Sequence, residues 1–242
     1  MRYGIFSDCH SNLQALQAVT EAYKKESIDK FLCAGDTVGY ATDFKETIDT
    51  VKSLCMVTVA GNHDWAAVGK FALEYFNPYA LEALVWTRKK LDEGSINFLS
   101  SLSLSYKNED LTLVHGTLDN PQDFDYMTNG FVAEATFRIL ETVICFVGHT
   151  HIAGFFIKDK NGKLYYSKDY IMEINSDKKY IVNVGSVGQP RDRDTRASYC
   201  IYDTDEKKVY LNRIDYDIEA VQKKIERAHL PRFLSERLSL GR

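Results

Sequence analysis

Five short apolar runs in this chain each stop at a cluster of aspartate, asparagine or histidine, and this repeated pattern constrains the fold more than any other feature. Tyr3–Ser7 ends in Asp8-Cys9-His10, Phe31–Ala34 in Gly35-Asp36, and Val57–Ala60 in Gly61-Asn62-His63-Asp64. Farther along, Leu111–Val114 ends in His115-Gly116, and Val143–Val147 in Gly148-His149-Thr150-His151. Five of the six histidines, all but His229, fall in these clusters. Runs of this kind read as strands. The carboxyl ends of strands in an open α/β sheet form its ligand crevice, so all five clusters can converge on one place.

The intervening segments fit such a sheet. Asn12–Lys25 carries Leu13, Leu16 and Val19 at helical spacing, and Asp43–Leu54 reads as a second helix. The resulting β-α-β-α-β opening predicts parallel strands with right-handed crossovers. From about residue 65 to 99 the chain is helical in pattern and rich in aromatics, with Pro78 dividing it into two helices. Hairpins follow. Leu102–Tyr106 and Leu111–His115 flank a KNED turn, and Phe155–Lys158 and Lys163–Tyr166 flank DKNG. Ser198–Tyr202 and Lys208–Ile214 bracket DTDE. Tyr180–Val184 is a further strand, Phe131–Glu141 and Ile218–His229 are helices, and the tail is a short amphipathic segment. The class is therefore α/β, with a mixed sheet or two stacked sheets covered by helices. At 242 residues the chain fits one domain, 1–242, with a helical insertion at about 65–100 near the site rim.

The residue types in the clusters suit divalent metals. Imidazole with carboxylate favours Mn, Fe, Zn, Ni or Co over Ca. In the DxH and HxH pairs, alternate residues of an extended segment point the same way and so can reach one metal. Asp36 can bridge two ions through its two oxygens, and Asn62 can add a neutral amide oxygen. Two ions about 3.5–4 Å apart would clamp a phosphoryl group and hold a hydroxide at neutral pH. A lone DxH or HxH is more often surface decoration than a ligand pair. Five clusters that each follow an apolar strand are not explained that way.

Bulk properties exclude other classes. The net charge of -4 and pI of about 5.9 give no general attraction for nucleic acid or anionic membrane. The five cysteines are odd in number and contain no CxxC, which argues against a disulfide framework or a cysteine-rich zinc site. Cys33 and Cys145 sit in apolar runs as small hydrophobes, and Cys9 should face away from its acidic and imidazole neighbours. The N-terminus does not resemble a signal peptide and no apolar stretch is long enough to span a membrane, so cytoplasmic residence is the expectation.

The series DxH…GD…GNHD…VHG…GHTH, from residue 8 to 151, resembles the signature of calcineurin-like metallophosphoesterases, most closely the small prokaryotic phosphodiesterase-like branch. VNVGSVGQPRDRDTRASYCIYD, residues 182 to 203, extends the similarity over roughly the first 215 residues. The resemblance implies a four-layer α-β-β-α sandwich of two mixed β-sheets flanked by helices. It implies one metal held by Asp8, His10, Asp36 and His151, and a second by Asp36, Asn62, His115 and His149. It also implies His63 beside the metals near the leaving-group oxygen, oriented by Asp64. The expected cofactors are two divalent transition-metal ions, manganese first and Fe, Zn, Ni or Co as alternatives. The expected activity is hydrolysis of a small or nucleotide-like phosphate ester, a diester before a monoester, through a hydroxide bridging the ions. The chain departs from the phosphoprotein phosphatases of that superfamily. It has GDTVGY and GNHD where they carry GDxxDRG and GNHE, which speaks against protein phosphatase activity.

Specificity is less legible. In the loop Pro190–Arg196, Arg191 and, second, Arg196 are candidates for a phosphate contact, against a reading in which the loop's Arg and Asp residues pair with each other. Trp65 or a tyrosine of 65–99 could stack on an aromatic substrate group, and Asn120–Met127 could form a rim loop. Two competing readings are a non-catalytic protein-binding scaffold and a nuclease. Competent residues at every assigned ligand position oppose the first. The absence of a basic tract opposes the second.

Overall fold

The computed structural model describes all 242 residues. Two six-stranded mixed sheets stack face to face. The first has the order β3 (Val57–Thr58), β2 (Lys30–Cys33), β1 (Arg2–Phe6), β11 (Ala197–Asp203), β12 (Lys208–Ile214), β9 (Ile171–Glu173). The second runs β4 (Ser105–Lys107), β5 (Thr112–Val114), β6 (Ile144–Val147), β10 (Lys179–Asn183), β7 (Gly154–Lys158), β8 (Leu164–Ser167). β1, β2 and β3 are parallel, as are β5, β6 and β10; antiparallel strands continue the first trio on the β1 side and flank the second on both sides. The three expected hairpins are present as β4–β5, β7–β8 and β11–β12.

Alternation along the strands builds the layers. Tyr3 and Ile5 of β1, Ile144 and Phe146 of β6, Tyr180 and Val182 of β10, and Cys200 and Tyr202 of β11 point between the sheets into one core. The residues between them face outward. Phe6, Cys33, Tyr199 and Ile201 meet α1 (Leu13–Tyr23) and α2 (Phe44–Leu54). Cys145, Val147 and Ile181 meet Ala133 and Phe137 of α6 (Gly130–Ile139). Helix, sheet, sheet, helix is thus the order of layers, a four-layer sandwich as the resemblance implied. All five cysteines are free, and Cys9 is buried under α1, away from the site.

The aromatic stretch divides more finely than its pattern suggests. α3 (Asn62–Ala67) begins inside the GNHD cluster, a 3-10 turn covers Leu73–Tyr75, and α4 (Pro78–Arg88) and α5 (Glu93–Ser101) follow. Pro78 does not break a helix but starts one: it occupies the first turn, where its missing N–H is not needed, and Asn77 caps the exposed amides of Tyr79 and Ala80. Asp92 caps α5 in the same way through Ser95. Strand β9 has no sequence signature; three exposed or half-buried residues gain their extended form only by pairing with β12. α7 (Ile218–Arg227) and α8 (Arg232–Glu236) close the chain, with a 3-10 turn at Arg237–Ser239. They pack Val221, Ile225, Leu234 and Leu238 against Ala80 and Ala83 of α4 and against Tyr40. No helix is long and apolar enough to cross a membrane.

Asn12 ties the start of α1 to the second half of the chain. Its Oδ1 accepts from the Ala15 amide at 3.1 Å and its Nδ2 donates to the Gly188 carbonyl at 2.8 Å, all buried. Asn12→Ala removes a cap and strands a buried carbonyl, and we expect it to cost about 2 kcal/mol of unfolding free energy. Urea denaturation checks this; a loss of only a few tenths would show that water replaces both bonds.

Candidate metal centre

The strand exits are sharp. Asp8, His10, Asp36, His149 and His151 all have positive φ, between 49° and 66°. Left-handed backbone is costly for such residues and persists only where surrounding contacts over-determine it. The contacts are visible: the Asp8 amide donates to Gly35 O, that of His10 to Asp36 O and that of His149 to Asp8 Oδ2. The expectation of extended DxH and HxH segments is therefore corrected. Asp8 and His10 still meet, with Oδ1 and Nε2 3.7 Å apart. His149 and His151, however, separate: His151 Nε2 lies 3.0 Å from His10 Nε2, whereas His149 Nδ1 lies 3.1 Å from His115 Nε2.

Three overlapping groups of buried donors result. Asp8, His10 and His151 form one, Asp36, His115 and His149 another, and His10, Asp36 and His63 the third, with donor atoms in each within 4.8 Å of one another. Asp36 joins them through a single atom. Its Oδ2 is 3.6 Å from His10 Nε2 and 3.3 Å from His115 Nε2, while Oδ1 accepts the His63 amide at 2.8 Å. The pairing uses one carboxylate oxygen rather than two because the backbone of α3 has claimed the other.

Backbone carbonyls set the tautomers. Val38 O sits 3.0 Å from His10 Nδ1, Ala34 O 2.7 Å from His115 Nδ1, and Gln189 O 2.6 Å from His151 Nδ1. A carbonyl only accepts, so each Nδ1 carries a proton, and Nε2 presents a lone pair wherever the imidazole is neutral, as His151 is. His10 and His151 thus aim two lone pairs at each other across 3.0 Å beside Asp8 Oδ1, a buried oxygen with no hydrogen-bond partner. Asn62 Oδ1 and His149 Nε2 are also buried and unpaired. Such a set is costly unless a cation completes it, and imidazole with carboxylate fits a divalent transition metal.

Electrostatics agree. Burial, and then the His115 charge, push His149 down to about 3; burial and Arg191 do the same to His151, so both are neutral bases. Burial disfavours a charge on His115 too, yet Asp36 outweighs it and raises that imidazole to about 10. Burial alone would raise Asp8, but the surrounding imidazoles, His151 first, hold its carboxyl well below the usual range.

The remaining predicted residues fall as follows. Asn62 and His63 line a cleft of about 220 Å³ with Tyr40, Phe71, Tyr75, Phe76, Tyr126 and His149. His63 also lies within reach of His10 and Asp36. Its ring is clasped by His10, Tyr40 and Phe76 at centroid distances of 4.7, 4.6 and 4.9 Å. Asp64 does not orient that ring. Successive helical residues point in different directions, and Asp64 instead accepts the Gly61 and Val38 amides at 3.2 Å each, capping α3 and anchoring the loop after Asp36. Burial, reinforced by the Asp36 charge, raises its carboxyl to about 7.

Arg191 reaches the site: its Nη2 donates to Tyr40 Oη at 3.1 Å and to Gln189 Oε1 at 2.8 Å. Arg196 does not; it pairs with Asp194 of its own loop at 2.7 Å. Trp65 packs edge-on to Phe124 rather than lining the cleft, whereas Asp123–Tyr126 of the expected rim loop do line it, Tyr126 stacked on His149 at 3.9 Å. A larger cavity of about 410 Å³ lies on the other side of the 149–152 loop among Met127, Phe156 and Tyr166, and contains none of the metal-type residues. Sequence reasoning missed Tyr40, Gln189 and Asn183. The last braces the loop by donating to Gly148 O at 2.7 Å and Thr150 Oγ1 at 2.9 Å, and lies in the VNVGS run without any local signal of that duty.

Two stacked mixed sheets carrying Asp–His clusters at the ends of their parallel strands define a metallophosphoesterase-type fold. Residues 1–207 match the calcineurin-like phosphoesterase superfamily domain, and the chain belongs to that superfamily. An uncharacterised protein of Methanocaldococcus jannaschii is 38% identical over 242 residues, covering 98% of this chain and 97% of that one. The crystal structure of a metallophosphoesterase from Sphaerobacter thermophilus superposes with a TM-score of 0.88 at 37% identity, covering 100% of this chain and 99% of the other. A hypothetical protein from Pyrococcus horikoshii shares the fold with a TM-score of 0.79 at 19% identity, over 100% and 98% of the two chains.

Gly39, at φ +101°, packs directly on His63 Nδ1, and a Cβ there would collide with the ring. Gly162, at φ +82°, has open space around it. Gly39→Ala and Gly162→Ala both incur a left-handed backbone cost of about 1–2 kcal/mol. Gly39→Ala should lose at least about 1 kcal/mol more, because the added methyl overpacks a filled site. Paired denaturation curves decide; equal losses would mean that His63 swings away freely.

Proposed function

We propose that the chain is a dinuclear metal-dependent phosphoric ester hydrolase acting on a small or nucleotide-like ester, with diesters preferred to monoesters. The observation that carries this is the pair of bare Nε2 atoms of His10 and His151 facing each other beside an unpaired Asp8 oxygen, with a second imidazole pair, His115 Nε2 and His149 Nδ1, 3.1 Å apart next to Asp36. Asp8, His10, Asp36 and His151 would hold one ion, and Asp36, Asn62, His115 and His149 the other. Manganese is our first choice. When bound, such a pair supplies Lewis acidity toward phosphoryl oxygens and lowers the pKa of a water nucleophile.

The chain's own residues supply the rest. Asp36 holds its place through the His63 amide, so the shared carboxylate and the start of α3 move together. His63 Nδ1 is buried against Gly39, which leaves Nε2 as the nitrogen able to serve substrate. Burial holds this imidazole well below its ordinary pKa. A phosphate anion seated in the cleft offsets that penalty, so Nε2 can carry a proton to the departing oxygen. The aromatic walls Tyr40, Phe71, Phe76 and Tyr126 give organic substituents a packing surface, which supports diesters. A scaffold role has no feature of its own in its favour, since every donor position is filled.

Two experiments test this reading. Equilibrium dialysis against manganese should give two ions per chain; Asp36→Asn should lose affinity at both sites and Asp8→Asn mainly at one. A wild-type protein that never exceeds one ion, with His115 and His149 intact, would sink the two-ion scheme. His63→Ala should keep most of its metal yet lose about 10²–10⁴-fold in turnover, more for alkyl or nucleoside leaving groups than for activated aryl esters. Equal losses would make His63 a phosphate-binding group, and loss of the metals would make it a ligand.

A further inference from the structure

The cavity of about 410 Å³ behind the loop that carries His149 and His151 has a lining of its own. It shares no residue with the metal cleft, yet sequence neighbours line the two: Tyr126 and His149 the cleft, Met127 and Thr150 the cavity. Its volume is that of a small-molecule pocket. Met127 and Phe156 are buried and give it an apolar surface, and the half-exposed Tyr166 ring meets Phe156 at 4.9 Å. Gly154 leaves room for that phenol, since a Cβ there would collide with its oxygen.

The polar part of the lining offers protons and lacks anything to take them. Thr150 Oγ1 already accepts the Ile152 amide and Asn183 Nδ2, which leaves its own proton to give. Thr128 stands likewise, its oxygen accepting from Asn129 Nδ2. Asn129 takes the amides of Phe131, Val132 and Ala133, and the Gly130 amide is left over. Lys168 sits at the rim without an ion-pair partner. The carboxylates near it are engaged elsewhere: Asp192 by Arg213, Asp194 by Arg196, and Asp169 by the Ser167 hydroxyl. No Asp or Glu lines the cavity. An aromatic wall beside spare donors and a free ammonium is complementary to a ligand with an aromatic body and an anionic acceptor group.

We infer that this cavity is a second ligand site, for a small aromatic carboxylate, and that its occupant acts on the metal loop. Thr150 lies between His149 and His151, both held in left-handed backbone. A filled cavity denies the loop the space into which that strain would relax, so occupancy favours the arrangement in which the donors are aligned. Binding in the cavity is independent of the phosphoesterase reading; only the effect on the loop rests on the metal centre. The probe is naphthylacetate titrated into chelator-treated, metal-free protein by calorimetry, with naphthylethanol as its uncharged counterpart. Lys168→Gln should weaken the acid about fivefold, the scale of an exposed ion pair, and leave the alcohol unchanged. Tyr166→Ala should weaken both about tenfold, through the lost aromatic wall. Manganese loading should tighten the alcohol about fivefold, an effect that the alcohol does not owe to ligating the ion, and the alcohol should tighten manganese by the same factor. Thermal midpoints establish that the variants are folded, and the exposed Lys168 carries the test if Tyr166→Ala is not. Acid binding that is absent at millimolar concentration, or equal in the wild type and every folded variant, overturns the site. Alcohol binding that manganese leaves unchanged overturns the link to the loop, whereas failure of the two-ion scheme shows separately in the dialysis.

Discussion

Asp36 accepts a backbone amide on one carboxylate oxygen and turns the other toward two imidazoles, and most of the site is arranged around that division. The amide is that of His63, so the first turn of α3 is docked onto the end of β2. Gly61 makes room: a Cβ there would overlap the Asp36 carboxylate. A Cβ at Gly35 would in turn sit 2.7 Å from the Gly61 amide. Two neighbouring parallel strands can end this close together only because both exits lack side chains. The free oxygen is then fixed within reach of His10 from the β1 exit and His115 from the β5 exit, one from each sheet. A buried carboxylate in that position is tolerable because it is surrounded by groups that are, or can become, positively charged.

Strain is distributed over the same loops. Five site residues hold left-handed backbone, and each is locked by hydrogen bonds that cross between strand exits rather than run within one. Two sheets packed through a common core keep the exits in register, so the loops need no flexibility of their own. A rigid, preorganised donor set is what metal binding and phosphoryl chemistry require. Asp64 belongs to this scaffold. Its two bonds join the start of α3 to the loop after Asp36, which carries Tyr40 to the mouth.

The mouth is built from the loop after Asp36, the aromatic stretch after α3 and the 123–126 loop. α7 and α8 lie beyond the residues matched to the superfamily and pack on α4 and Tyr40, so one cleft residue, Tyr40, is backed by the tail. The donor clusters thus lie within the matched domain, and so do Arg191 and Tyr126 of the rim, whereas the tail that packs behind Tyr40 lies beyond it. Specificity residing in loops and termini over a constant scaffold is a familiar division of labour.

The sequence alone determined every strand but β9, the parallel core of the first sheet, the three hairpins and the place where chemistry gathers. These are local or short-range facts: apolar runs, turn residues and the clusters that follow each strand. It also supplied Arg191 as a candidate near the site. What it did not determine was direction. Adjacent ligand residues were taken as extended, whereas left-handed turns send His149 and His151 to different groups, a conformation fixed by bonds to Asp8 and Gln189 far away in sequence. Asp64 follows His63 by one residue, yet its oxygens go to backbone amides because a helix turns about 100° per residue. Arg191 and Arg196 look alike in the loop, and only the nearness of Tyr40 and Asp194 tells them apart. The backing of Tyr40 carries no local signal at all; it depends on how a short amphipathic tail buries Leu234 and Leu238 against α4 and α7, and such packing is decided by the whole tertiary structure.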